Sequence, residues 1–174
     1  HIYLPDTQTT WVYLNLDTNV HDFKFWMAHE LAHCLSPSLS GNEAEDFADE
    51  FAGALLFPKA LAESVYHQIL AQRNAQSKIV KVLEIADEQV ISPYTVVNQT
   101  NKYAESQSFA PIEMGKYFGG AVTNFNKKYR NCSAALLGDI PKFNAHDFIA
   151  ETEKAFETPF FEILRKYLKE QDKG

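Results

Sequence analysis

Five consecutive residues constrain this chain more than any other part of it: His29-Glu30-Leu31-Ala32-His33, two imidazoles four positions apart with a carboxylate between them. On an α-helix, positions i and i+4 lie one turn apart on one face, so both rings can reach a single cation. The intervening glutamate points toward the same cleft. A cation with an open position acidifies a water, and an adjacent carboxylate takes its proton and directs the product at a peptide carbonyl. Random placement of six His and fourteen Glu in 174 residues yields this pattern roughly 0.016 times per chain, so a solvated helix with two surface histidines is the weaker explanation. The motif predicts a metal centre with Glu30 as general base, and two imidazoles in a peptidase pattern make zinc the first expectation.

The flanking residues predict the helix itself. Apolar side chains recur at Phe23, Trp26, Met27, Leu31 and Leu35, a helical spacing that predicts Trp26, Met27, Leu31 and Leu35 as the packing face, and Pro37 ends the run. A second helix is expected from about Glu43 to Phe57, stopping before Pro58, with Phe47, Phe51 and Leu55 among its apolar set. A catalytic zinc needs a third protein ligand, and no downstream His stands at the spacing that metzincins use. The acidic residues of the second helix, Glu43, Glu45, Asp46, Asp49 and Glu50, are therefore the candidates. Glu45 and Asp49 share a face: Glu45 could ligate while Asp49 accepts a hydrogen bond from a ligand histidine. Glu43 and Glu50 read more simply as exposed helix charges, Glu43 also as a partner of the helix dipole.

The run His29-Glu30-Leu31-Ala32-His33, followed by Glu45-x-x-Ala48-Asp49-x-Phe51-Ala52-x-x-Leu55-Leu56-Phe57-Pro58, resembles the ImmA/IrrE family of zinc metallopeptidases. Val12-Tyr13-Leu14-Asn15 looks like the family's strand before the active helix, and Ile91-Ser92-Pro93 like its next element, so the resemblance spans about residues 10 to 105. It implies a small gluzincin-like domain that cleaves a protein partner, typically a helix-turn-helix repressor, and so releases stress, phage or mobile-element genes. Carried over by position, His29, His33 and Glu45 bind zinc and Glu30 is the base. The chain departs from the family in having Cys34-Leu35-Ser36-Pro37 where a further His often follows the motif, and in a C-terminal region with no familiar pattern.

Around this centre the expected fold is α+β and zincin-like: mostly helical, with a small N-terminal β-sheet packed beside the active-site helix. Ile2-Tyr3-Leu4 and Trp11 to Leu14, separated by Pro5, Asp6 and a Thr/Gln run, predict a β-hairpin. Trp11 to Asn15 would be either an inner strand or an edge able to pair with an extended substrate. Further helices are expected over Lys59 to Gln72, Ser77 to Asp87 and from Ser92-Pro93 to about Glu105. Gly and Pro interrupt every pattern between 108 and 143, and amphipathic segments return over Asn144 to Lys169, split at Pro159. The expected division is a metallopeptidase domain over 1–107 and a C-terminal extension of it over 108–174.

Composition narrows the partners. A net charge of -7 disfavours a phosphate-binding surface, so no direct nucleic-acid binding is expected, only a protein substrate. The two cysteines, Cys34 and Cys132, lack CxxC spacing and point to a reducing, cytoplasmic setting. No apolar stretch is long enough to span a bilayer, the first residues lack a signal pattern, and a chain starting at His1 suggests a processed or excised form. Cys34 could line the cleft, although a small buried apolar role is the simpler reading. Tyr66, His67, Tyr94 and His146 are candidates for stabilising an oxyanion, with nothing to choose among them. The competing functional readings are a non-catalytic metal-binding regulatory or interaction domain of a larger protein, and a metal-free helical interaction domain.

Overall fold

The computed structural model describes residues 1–4, 6–12, 14–137, 149–150, 153–154 and 159–171. The chain divides into two compact units, His1–Leu136 and Leu137–Gly174. The first opens with an antiparallel hairpin of β1 (Ile2–Leu4) and β2 (Thr9–Trp11), in a register that pairs Ile2 with Trp11 and Leu4 with Thr9. The second strand therefore starts earlier than its apolar run suggested, and Val12, Leu14 and Asn15 lie outside it. Six helices follow before residue 131: α1 (Val20–Leu35), α2 (Gly41–Leu56), α3 (Lys59–Leu70), α4 (Ala75–Gln89), α5 (Pro93–Ser106) and α6 (Phe118–Asn126). A short α7 (Cys132–Leu137) comes next, and α8 (Pro159–Gln171) belongs to the second unit. The molecule is thus a mostly helical α+β protein with a two-stranded sheet. Among the described residues, no helix is long and apolar enough to cross a membrane.

Local chemistry sets most helix boundaries. Asn19 caps α1 by accepting the His21 backbone N–H, and Asp22 sits favourably in the first turn. At α4, Asn74 and Ser77 cap each other's backbone N–H groups. Pro93 opens α5 at a position where its missing donor costs nothing. Pro58 begins the next segment just after α2 stops at Leu56, since proline cannot continue the ladder.

The core gathers α3, α4, α5 and α6 around Phe57, Val65, Ile69, Val82, Ile91 and Val96, all essentially without solvent contact. Burying each such side chain contributes roughly 1.5–3 kcal/mol before entropy is set against it. This core runs on past residue 107 through Ile112, Met114, Phe118, Val122 and Phe125. The segment before α6 is held by Asn101, whose Oδ1 accepts the Ile112 N–H at 2.7 Å and whose Nδ2 donates to the Ile112 carbonyl at 3.3 Å.

Helices α1 and α2 form an antiparallel pair joined by residues 36–40, and they meet through small side chains. Ala28 and Ala32 face Ala44, Ala48 and Ala52, with His29 and His33 buried beside them. The expected packing face of α1 is corrected: Trp26, Met27, Leu31 and Leu35 are exposed, as are Phe47 and Leu55 of α2. Close helix approach selects alanine, and the larger apolar side chains are left outside the contact. Gly53 faces α5, where a Cβ would lie 2.0 Å from the amide nitrogen at the end of the flexible Gln99 side chain.

In the second unit, Pro159 opens α8, Phe161 is buried, and Arg165 donates to Glu153 through Nη2 at 3.1 Å. The expected helical segment from Asn144 falls partly on residues 144–148, which lie outside the described residues.

Candidate metal centre

The antiparallel register of α1 and α2 sets His29 opposite Asp49 and His33 opposite Glu45. His29 Nε2 and His33 Nε2 lie 3.1 Å apart. Glu45 Oε2 is 3.3 Å from His29 Nε2, and its Oε1 is 3.5 Å from His33 Nε2. Among the described residues these three form the one group of His, Cys, Asp or Glu side chains able to hold a metal, with their ligand atoms all within 4.8 Å of one another. The edge of a tetrahedron built on metal–ligand bonds of about 2.0–2.1 Å is roughly 3.3 Å, so this spacing fits a zinc-sized ion with three protein donors. The donor set fits chemically too: two buried imidazoles offer neutral nitrogen, and the carboxylate supplies charge.

Asp49 Oδ1 accepts a hydrogen bond from His29 Nδ1 at 2.9 Å. With that proton on Nδ1, the Nε2 lone pair of His29 is free to face the cluster. The pairing needs no loop, because Glu45 and Asp49 are one turn apart on α2. Glu43, Asp46 and Glu50 stand outside the cluster.

Glu30 follows His29 on α1, only partly exposed, and one carboxylate oxygen lies 3.3 Å from His1 Nδ1. The His1 ring stacks on His33 with centroids 4.8 Å apart. Sequence reasoning missed this residue, since no spacing rule connects position 1 to positions 30 and 33. The contact restrains the Glu30 carboxylate from one side and walls the cluster with the start of the hairpin.

Two clefts lie along α1, one lined by His33 and Glu45 of the cluster and one by Glu30. One, of about 330 Å³, is lined by Tyr3 and Thr10 of the hairpin, Ser36 and Ser40 of the connection, and His33, Cys34 and Glu45. Cys34 thus does line the cleft, half-buried with its thiol free. The other, of about 380 Å³, contains Glu30 together with Asp17, Phe23 and Trp26. A larger cavity of about 740 Å³ lies against Asp49 and Phe25 and is walled by polar residues of α5.

Of the four oxyanion candidates, Tyr66 is engaged elsewhere: it is buried, stacks on Phe109 and donates its hydroxyl to the Ala110 carbonyl. His67 sits against Tyr66 on α3. Tyr94 opens onto the cavity that Asp49 lines. His146 lies outside the described residues.

A second polar cluster ties α1 to the core. His21 is buried against Phe125 and Tyr129, its Nδ1 3.0 Å from Asn19 Oδ1 and its Nε2 3.7 Å from Asp87. Burial lowers its pKa below the ordinary histidine value, outweighing the opposing pull of Asp87 and Asp22. Tyr129 donates to Asp87 at 2.5 Å, and that bond, with burial, pushes the phenol up to about 12.

Comparison of the chain with protein-family models, with curated proteins and with solved structures returns no match.

Proposed function

We propose that this chain is a zinc-dependent endopeptidase acting on a specific protein partner. The observation that carries the reading is the convergence of His29, His33 and Glu45 at separations of 3.1 to 3.5 Å, with the Glu30 carboxylate linked to His33 through the His1 ring. His29, His33 and Glu45 would hold the ion, leaving a position open for a water, whereas a purely structural zinc site is closed by four protein ligands. Zinc bound there supplies a Lewis acid that lowers the pKa of water and polarises a peptide carbonyl.

The chain's own residues do the rest. Glu30 accepts the proton of the attacking water and returns it to the departing amine, a role open to a partly exposed carboxylate on the cleft wall. Asp49 keeps His29 in the tautomer that presents Nε2. A zincin-like fold, and a helix-turn-helix repressor as the protein cut, follow from the resemblance of the two motif helices to ImmA/IrrE peptidases. The free thiols of Cys34 and Cys132 support a cytoplasmic setting.

Metal content per chain, measured after purification without added metal, tests the ligand set. About one zinc per chain, lost or much weakened in Glu45→Ala, is the expected result; no uptake by either protein, even with zinc supplied, would remove the enzymatic reading. Glu30→Gln should keep zinc and lower cleavage of a partner by about 10²–10⁴-fold. A second reading, a non-catalytic metal-binding interaction domain, is favoured by the exposed apolar stripe of Trp26, Met27, Leu31 and Leu35. Cleavage by Glu30→Gln at the rate of the native chain would reject Glu30 as the base, and cleavage by neither protein would favour the interaction domain.

A further inference from the structure

We propose that the cleft containing Glu30 is a subsite for a basic side chain, arginine or lysine, of the polypeptide being cut. The assignment rests on the endopeptidase reading and adds a substrate preference to it. The cleft holds about 380 Å³, within the range of sites that enclose a ligand group. Leu14, Phe23 and Trp26 supply its apolar wall, and Asp17 and Glu30 its charge. No lysine or arginine is among its lining residues, and because the N-terminal ammonium of His1 already lies 3.4 Å from Glu30 Oε2, Asp17 is the carboxylate left to a ligand cation. A long aliphatic stem ending in a cation satisfies both halves: the stem packs along the apolar wall, and the charge lies over the exposed indole of Trp26 within reach of a carboxylate.

Asp17 is set in place before any ligand arrives. Its Oδ1 accepts from Asn131 Nδ2 at 2.6 Å, and its backbone N–H donates to Asn15 Oδ1 at 2.8 Å. The segment around it is clasped from the far end of the unit, where Cys132 N–H donates to the Thr18 carbonyl and Ser133 N–H to that of Leu16, each at 2.8 Å. An ionised carboxylate accepts about four hydrogen bonds, so the Asn131 contact leaves capacity for a guanidinium. A group already held needs little further ordering to bind, which favours affinity. The cleft on the His33 and Glu45 side differs in kind, being lined by Tyr3, Thr10, Cys34, Ser36 and Ser40. A polypeptide crossing the centre would therefore meet a cation-selective pocket on the Glu30 side and a small, largely neutral one on the other.

The test begins with binding, independent of catalysis. The full chain is titrated with N-acetyl-arginine amide and with its neutral isostere N-acetyl-citrulline amide while the indole N–H resonances are followed. Trp11 and Trp26 are the two tryptophans, so Trp11 serves as the internal control. The expected result is a saturable shift at Trp26 with arginine, about fivefold weaker with citrulline, and an equal weakening for arginine in Asp17→Asn. That variant keeps the Oδ1 acceptor for Asn131, and the citrulline comparison uses the native chain throughout. Equal responses to the two amides, no response to either, or undiminished arginine binding by Asp17→Asn would overturn the subsite. Zinc-loaded chain is then offered matched peptide pools carrying arginine or citrulline. Selective cleavage of the arginine pool supports the preference, and indifference overturns it while the peptidase stands. Cleavage of neither pool, with arginine binding intact, keeps the subsite and sinks the peptidase.

Discussion

Helices α1 and α2 touch through alanines, whereas α3 to α6 touch through isoleucine, valine, phenylalanine and tyrosine. The two regions answer different demands. Large side chains bury area, and area supplies stability at roughly 25 cal/mol per Å². Alanines bury little but let two backbones approach closely, and that approach brings Glu45 and Asp49 of one helix to the imidazoles of the other. The proposed chemistry thus lies where packing contributes least, and the fold is held where no chemistry is proposed.

If this division is right, damage to one region should leave the other's property intact. Ile69→Ala, in the core, should lower unfolding free energy by about 2–5 kcal/mol in denaturant titration, while zinc stoichiometry stays at that of the native chain. Loss of zinc at full folding in that variant would break the separation. Asp49→Ala tests the converse: zinc affinity, read by competition with a chelating dye, should fall about 10–100-fold, with the stability of the metal-free chain nearly unchanged. A large loss of metal-free stability would show that the polar contact holds the α1–α2 pair.

The link between the regions should show in pH dependence. Because His21 is buried with a lowered pKa, the unfolded chain takes up a proton that the folded chain excludes as pH falls below about 6.5. Its contribution is fully present above that pH and is lost as pH falls toward the lowered folded value. His21→Gln should flatten this part of the stability profile, and an unchanged slope would assign the effect to other groups. The smallest effect is expected at Gly53→Ala. The added Cβ meets only the end of the flexible Gln99 side chain, and the helix gains propensity, so thermal unfolding should report a change within about 1 kcal/mol.

Local patterns were legible in the sequence and distant ones were not. The spacing of His29 and His33, and of Glu45 and Asp49, is helical geometry written in four-residue steps, and the structure brings all four residues together. Ser92-Pro93 and Pro58 marked helix ends because they act on their own backbone. The face of α1 was misread because hydrophobicity gives weight to Trp26, Met27, Leu31 and Leu35, while helix-to-helix distance gives weight to Ala28 and Ala32. The second strand was placed late for the same reason, since Thr9 and Thr10 pair by register with β1 and not by an apolar run of their own. His1 at Glu30, and Asn131 at Asp17, join parts of the chain that no periodicity relates.

That last clasp orders events on the ribosome. The residues proposed to hold the metal are all made once residue 45 is added, whereas the bond from Asn131 to Asp17 spans 114 positions and waits for nearly the whole first unit. A nascent chain could take up its ion long before the wall beside Glu30 is fixed. Closing so long a loop adds only a logarithmic entropy cost, so the delay is one of sequence order and not of thermodynamic difficulty. The proposed cleavage would be withheld from a half-made chain because the proposed subsite is among the last features to be completed.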